Sequence, residues 1–235
     1  MIFRRRSGKR DRSEEPDDSE ANGAGGLEDL EELEIERPRG PWDRGETSVD
    51  EEDDAYVDLG GLVVKGIEGL ELRLQVEDQE GTIAAVMLAG PDSGLELRAF
   101  AAPRSGGIWD EVRNDIAAEA VRRGGTATEV DGEFGTELTL VVPVVMPDGK
   151  QATQPSRVVG VEGPRWLLRG TFLGKSAVAP DPEGPLESAF RDVIVVRGSE
   201  PMAPRDMIAM QMPAQAQAQL MAQAQESQEP GDPEA

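Results

Sequence analysis

Histidine and cysteine are both missing from the 235 residues of this chain. Their absence excludes Ser-His and Cys-His nucleophile pairs, the usual proton shuttle at neutral pH, zinc sites built on His or Cys, thiol redox chemistry and disulfides. Aromatic side chains are scarce, with three Trp, one Tyr and five Phe. No apolar run approaches the roughly 20 residues that a bilayer span needs. The opening Met1-Ile2-Phe3-Arg4-Arg5-Arg6 is basic without an apolar stretch behind it, so it does not read as a signal peptide. The expectation is a cytoplasmic protein, although lack of cysteine by itself suits any compartment.

Basic side chains are also in short supply: 24 Lys and Arg face 47 Asp and Glu, for a formal charge of −23. Acids outnumber bases in the first 54 residues, in the middle and at the end. Such a chain is repelled by nucleic-acid phosphates and anionic lipid, and it favours a basic protein partner.

Residues 1–54 read as a disordered tail, basic through Arg4–Arg12 and acidic afterwards, with too few large apolar side chains to offset the ordering entropy. The basic start has two readings, weak contact with nucleic acid or membrane and a merely solvated segment. One apolar island interrupts the acids: Leu27, Leu30, Leu33 and Ile35. Their spacing of about three allows a short helical stripe, either a transient helix or a segment that docks onto a partner or onto its own domain.

Residues 55–198 read as a single α+β domain. Leu70, Leu72, Leu74 and Val76 alternate with polar residues, the pattern of a half-buried strand. Thr82–Ala89 is a continuous apolar run, and Leu95, Leu97, Ala99 and Ala101 alternate again, with short turns between that suit an antiparallel meander. Ile108, Val112, Ile116, Ala120 and Val121 mark one face of a helix, with acids in its first turn and arginines in its last. Strands are expected at 126–130, 136–145, 157–161 and 166–172, the last two joined by a hairpin turn at Gly163-Pro164. A second helix starts near Pro185 and packs Leu186, Phe190, Val193 and Ile194; its β-branched end is ambiguous between helix and strand. The core signal fades from Ser199, and residues 199–235 read as a Met/Ala/Gln-rich tail, partly helical. The expected fold is a curved antiparallel sheet of seven or eight strands with two helices on one face, flanked by disordered tails.

Candidate chemistry is thin. Ser105-Gly106-Gly107 ahead of a helix offers backbone N–H groups to an anion, or is simply a turn and cap; no phosphate-loop ending accompanies it. Asp131, Glu133 and Glu137 cluster around Gly132 and Gly135, but their spacing matches no calcium loop and reads as a turn rimmed by solvated acids. Carboxylate pairs for glycoside hydrolysis are present in any acidic chain, and nothing selects one. Trp109, Trp166 and Phe172 lie at apolar-patterned positions that favour core packing over ligand stacking. No cofactor or metal is expected.

The string Arg157–Gly170, RVVGVEGPRWLLRG, is distinctive, as is Asp131–Leu138, DGEFGTEL, before it. Together they resemble an actinobacterial family of uncharacterised proteins, a domain of unknown function, over roughly residues 45–213. The resemblance implies a cytoplasmic protein of a high-GC Gram-positive bacterium and carries no catalytic residues. On the residues alone, Arg157, Arg165 and Arg169 sit within one hairpin beside Trp166. They are either a site for a carboxylate or phosphate, or are paired internally with nearby acids. Two functions follow: a non-catalytic protein-interaction module, with the Leu27–Ile35 island helping to dock the partner, or a domain that binds small anions or hydrolyses them with carboxylates and the arginine hairpin.

Overall fold

The computed structural model describes residues 39–47, 53, 55–76 and 83–213. In chain order the elements are β1 (Trp42–Asp43), β2 (Tyr56–Asp58), β3 (Leu62–Lys65), β4 (Glu71–Val76), β5 (Ile83–Ala89), β6 (Ser93–Ala101), α1 (Ile108–Arg122), β7 (Thr126–Gly132), β8 (Gly135–Val145), β9 (Gln151–Gly163), β10 (Trp166–Gly174), α2 (Lys175–Val178), α3 (Pro185–Arg191) and β11 (Ile194–Val195). Seven strands form one antiparallel sheet in the order β4-β5-β6-β10-β9-β8-β7, and four short ones form a second sheet in the order β1-β11-β3-β2. The class is α+β. None of the helices described is long and apolar enough to cross a membrane.

The pleat decides which residues meet. Along β10, Trp166, Leu168, Gly170 and Phe172 point to one face, while Leu167, Arg169 and Thr171 point to the other. The first face carries the larger core. Val86, Leu88, Leu95, Leu97, Val159 and Phe172 pack there against Leu62, Val64 and Val195 of the small sheet and against Leu186 and Phe190 of α3. The second face carries a smaller core of Leu138, Leu140, Val158 and Leu167 under Ile108, Trp109 and Ala120 of α1. The two longer helices therefore lie on opposite faces of the sheet, which corrects the expectation of both on one face. The reason is that β9 and β10 are apolar on both sides, as Val158-Val159 and Leu167-Leu168 show, and each side needs a cover.

Two glycines make this double covering possible. A Cβ on Gly160 would lie 2.3 Å from Trp109 of α1, and one on Gly170 would lie 2.7 Å from the Phe190 ring of α3. Each large ring occupies the space left by a missing side chain on its own face of the sheet.

Helix α1 follows its sequence pattern: Asp110 and Glu111 sit in the first turn, Arg122 in the last, and Gly124 turns the chain away with φ 79°. Val121 is an exception to the expected apolar face and is exposed, because Ile108, Val112, Ile116 and Ala120 are spaced by four and it falls one residue past the stripe. The exposed N-terminal amides are met from a distance. The Glu162 carboxylate of β9 accepts from the N–H of Gly107 at 2.8 Å and from the N–H of Trp109 at 2.7 Å. That carboxylate fills the place where the Ser105-Gly106-Gly107 segment offered amides to an external anion, so the segment is a capped helix start. Glu162→Ala should cost about 1–2 kcal/mol in urea unfolding at neutral pH; a loss below a few tenths would remove the capping role.

The ambiguous stretch after α3 is resolved by pairing. The helix ends at Arg191, and Ile194–Val195 form β11, parallel to Trp42–Asp43 and antiparallel to Leu62–Val63. Residues on both sides of 55–198 take part in the fold. Trp42 donates to the Val193 carbonyl, and Ile208 and Met210 are buried in the larger core. Met210 bridges to Ile83, Met207 bridges to Phe100, and Ile208 donates to the Ala99 carbonyl, filling the gap where β5 and β6 diverge. Leu27, Leu30, Leu33, Ile35 and the Ala/Gln stretch lie outside the described residues.

Candidate functional site

The three arginines of the hairpin do not meet. Cross-strand register settles this: Arg157 lies opposite Phe172, while Arg169 lies opposite Gly160. Residues 157 and 160 are three apart, so their side chains leave opposite faces of the sheet. Arg165 sits in the turn itself with φ 58°, and its guanidinium donates to the Gly198 carbonyl at 3.2 Å. Trp166 is fully buried in the larger core, where its Nε1–H donates to the Asp43 carboxylate at 2.7 Å. The four candidate residues thus occupy three separate environments and form no single pocket.

Arg157 is the most unusual of them. It is 3% exposed and lies between two buried acids: Nη1 donates to Glu137 at 3.2 Å and Nη2 to Glu187. Its guanidinium stacks over Phe172 at 4.0 Å from the ring centre. This is intramolecular pairing, with two carboxylates to one cation in the interior. Burial holds the Glu187 carboxyl above its usual range, opposed by the charge on Arg157. Glu137 arrives from β8 on the face opposite Leu138 and Leu140, and Glu187 from the first turn of α3 beside Leu186.

The expectation of solvated acids around Gly132 and Gly135 is corrected for two of the three. Glu137 is buried, and the Glu133 side chain is only 12% exposed, held by Arg191 and by Arg39 at 3.3 Å. Both are drawn inward by arginines that come from distant parts of the chain. Among the described residues no donor meets Oε2 of Glu133.

Above the triad opens a cleft of about 390 Å³ between the β7–β8 turn and the segment joining α2 to α3. Four acids, Asp131, Glu133, Glu137 and Glu187, and one arginine, Arg157, line it. Two of its wall residues are exposed valines, Val130 at 39% and Val178 at 64%. Sequence reasoning missed Glu187, Arg191 and the valines. Glu187 had a faint signal, an acid in the first turn of an otherwise apolar helix start, but that is also where the helix dipole favours an acid.

Among the described residues no group of three or more acids is placed to hold a metal ion. Two of the cleft's carboxylates, Glu137 and Glu187, are already seated on Arg157. Its net negative wall suits a positively charged visitor, and the exposed valines suit an apolar flank beside that charge.

None of the curated proteins matches the chain. A family model matches residues 40–219, a span that starts just before β1 and runs beyond Met210, and the chain belongs to the family described as Protein of unknown function (DUF3710).

Proposed function

We propose that this is a non-catalytic protein-interaction module of a bacterial cytoplasmic protein, and that its partner presents a basic, apolar-flanked segment. One observation carries the reading: the exposed pair Val130 and Val178 beside a cleft with four acids and one arginine in its walls. At a docking surface apolar contact gives affinity and charge gives approach and register, and the two valines beside the acids supply both. The formal charge of −23 supports it by attracting a basic partner over longer range. The missing histidine and cysteine, and the seating of Glu137 and Glu187 on Arg157, favour binding over chemistry.

The test compares full-length protein with Val178→Asp in quantitative affinity capture. Val178 is exposed, so the substitution should leave the unfolding midpoint within about 2 °C. A partner held by the wild type, weakened tenfold or more by the variant and released by raised salt is the expected result. The same partners at the same strength with both proteins, or none with either, would overturn the reading.

A further inference from the structure

On the opposite face of the sheet, Arg169 has an unusual shortage of partners. It lies directly across from Arg98, so two like charges are paired in the ladder. The one acid between them, Glu96, is bonded to Arg98 at 2.9 Å and is 3.8 Å from Nη2 of Arg169, beyond hydrogen-bond distance. Among the described residues no acceptor meets Nε of Arg169, although that atom is buried. The Phe100 ring beneath it, at 5.4 Å, gives only a weak cation–π contact. Burial and the charge on Arg98 both push the guanidinium below its ordinary range, and Glu96 only partly offsets them. A desolvated cation with an unmet donor is costly unless an anion is supplied.

Arg169 lines a groove of about 500 Å³ between α1 and the sheet. Four arginines and two acids line this groove, a local positive excess in a strongly acidic chain. The remaining surface is largely apolar, with Val112 and Ile116 on the helix side and Leu140 and Val142 on the sheet side. Arg205 closes one side, donating to Glu111 at 3.0 Å and Asp115 at 2.8 Å from a backbone with φ 76°, a conformation uncommon outside glycine.

We propose that this groove binds a small amphipathic carboxylate, its apolar chain along Val112, Ile116 and Val142 and its carboxylate on Arg169. The Arg169 side chain is 21% exposed and its Nη2 stands 3.8 Å from Glu96, so that end of the guanidinium can take a carboxylate oxygen, while the buried Nε is reached only if the side chain shifts. The site is on the other face from the acidic cleft, so its failure leaves the protein-docking reading untouched.

Decanoate is the probe, titrated calorimetrically into the full-length chain beside decanol, decyl phosphate and decyltrimethylammonium. Decanoate should bind with at least tenfold preference over each of the other three. Arg169→Gln should weaken decanoate tenfold or more. Val142→Glu, which puts an acid in the groove away from the arginine, should do the same and keeps the test valid if the first variant folds poorly. Equal binding of decanol, tighter binding of decyl phosphate, full decanoate affinity in a folded variant, or no decanoate binding by the wild type at millimolar concentration would each overturn the proposal.

Discussion

Arg157→Met should destabilise the protein by about 3–5 kcal/mol at neutral pH, the cost of removing one partner from a buried ion cluster. The methionine stem keeps most of the packing over Phe172, so the loss is electrostatic: Glu137 and Glu187 stay in the interior with no cation between them. Replacing all three charges with apolar side chains, as Glu137→Leu, Arg157→Met and Glu187→Leu, should return most of the stability, because the desolvation of three ions is removed together with their attraction. The pH dependence has a definite sign. The folded pKa of Glu187 is raised, so between the usual carboxylate range and that raised value the folded state holds more protons than the unfolded chain, and stability falls as pH rises. Arg157 limits the rise, so Arg157→Met pushes that carboxyl higher still. The deficit of the variant should be small in acid and grow toward neutral pH. Urea unfolding at several pH values measures it; a loss below 1 kcal/mol at pH 7, or one independent of pH, would show that the triad is not held as the distances imply.

The second large effect is steric. Gly160→Val should cost at least the upper end of the roughly 1–3 kcal/mol typical of overpacking. A Cβ at this position already overlaps Cδ2 and Cε3 of Trp109, and valine adds two methyl groups to the same space. The indole is anchored by its Nε1–H to the Thr136 carbonyl at 2.8 Å, so moving aside loses a hydrogen bond worth about 1 kcal/mol. At about 2–4 °C per kcal/mol for a domain of this size, the thermal midpoint should drop by several degrees or the chain should fail to fold. Adding Trp109→Ala removes the clash and should recover part of the loss in the double variant, despite the cavity it makes elsewhere under α1. A single variant with an unchanged midpoint would mean that α1 can lift from the sheet at little cost.

Much of the larger sheet was legible because its strands alternate cleanly or run apolar between turn residues. Leu70–Val76, the run ending at Ala89 and the Gly163–Trp166 hairpin all appear where periodicity puts them. The small sheet was not legible. Trp42–Asp43 and Ile194–Val195 are two residues each, too short for any period, and become strands only because distant partners meet in space. The helix arrangement was obscured for another reason: Val158-Val159 and Leu167-Leu168 announce strands covered on both sides, whereas alternation nearby suggests one wet face. The separation of Arg157 from Arg169 was available from the hairpin register alone, since a two-residue turn pairing Gly163 with Trp166 sets every later partner. The seating of Arg157 was not. Glu137 and Glu187 come from different elements, and each in isolation looks like an ordinary surface acid.

The seam between β5 and β6 has a consequence for how the chain is made. Ribosomes deliver the N-terminal part first, and all seven strands of the larger sheet emerge before the 205–210 segment that joins Ala99, Ala101 and Ile83. Until that segment arrives, the diverging ends of two apolar strands stand with unpaired amides and carbonyls, the kind of edge that other nascent chains can join. Late synthesis is therefore the hazardous interval, after the strands have emerged and while the seam is still open.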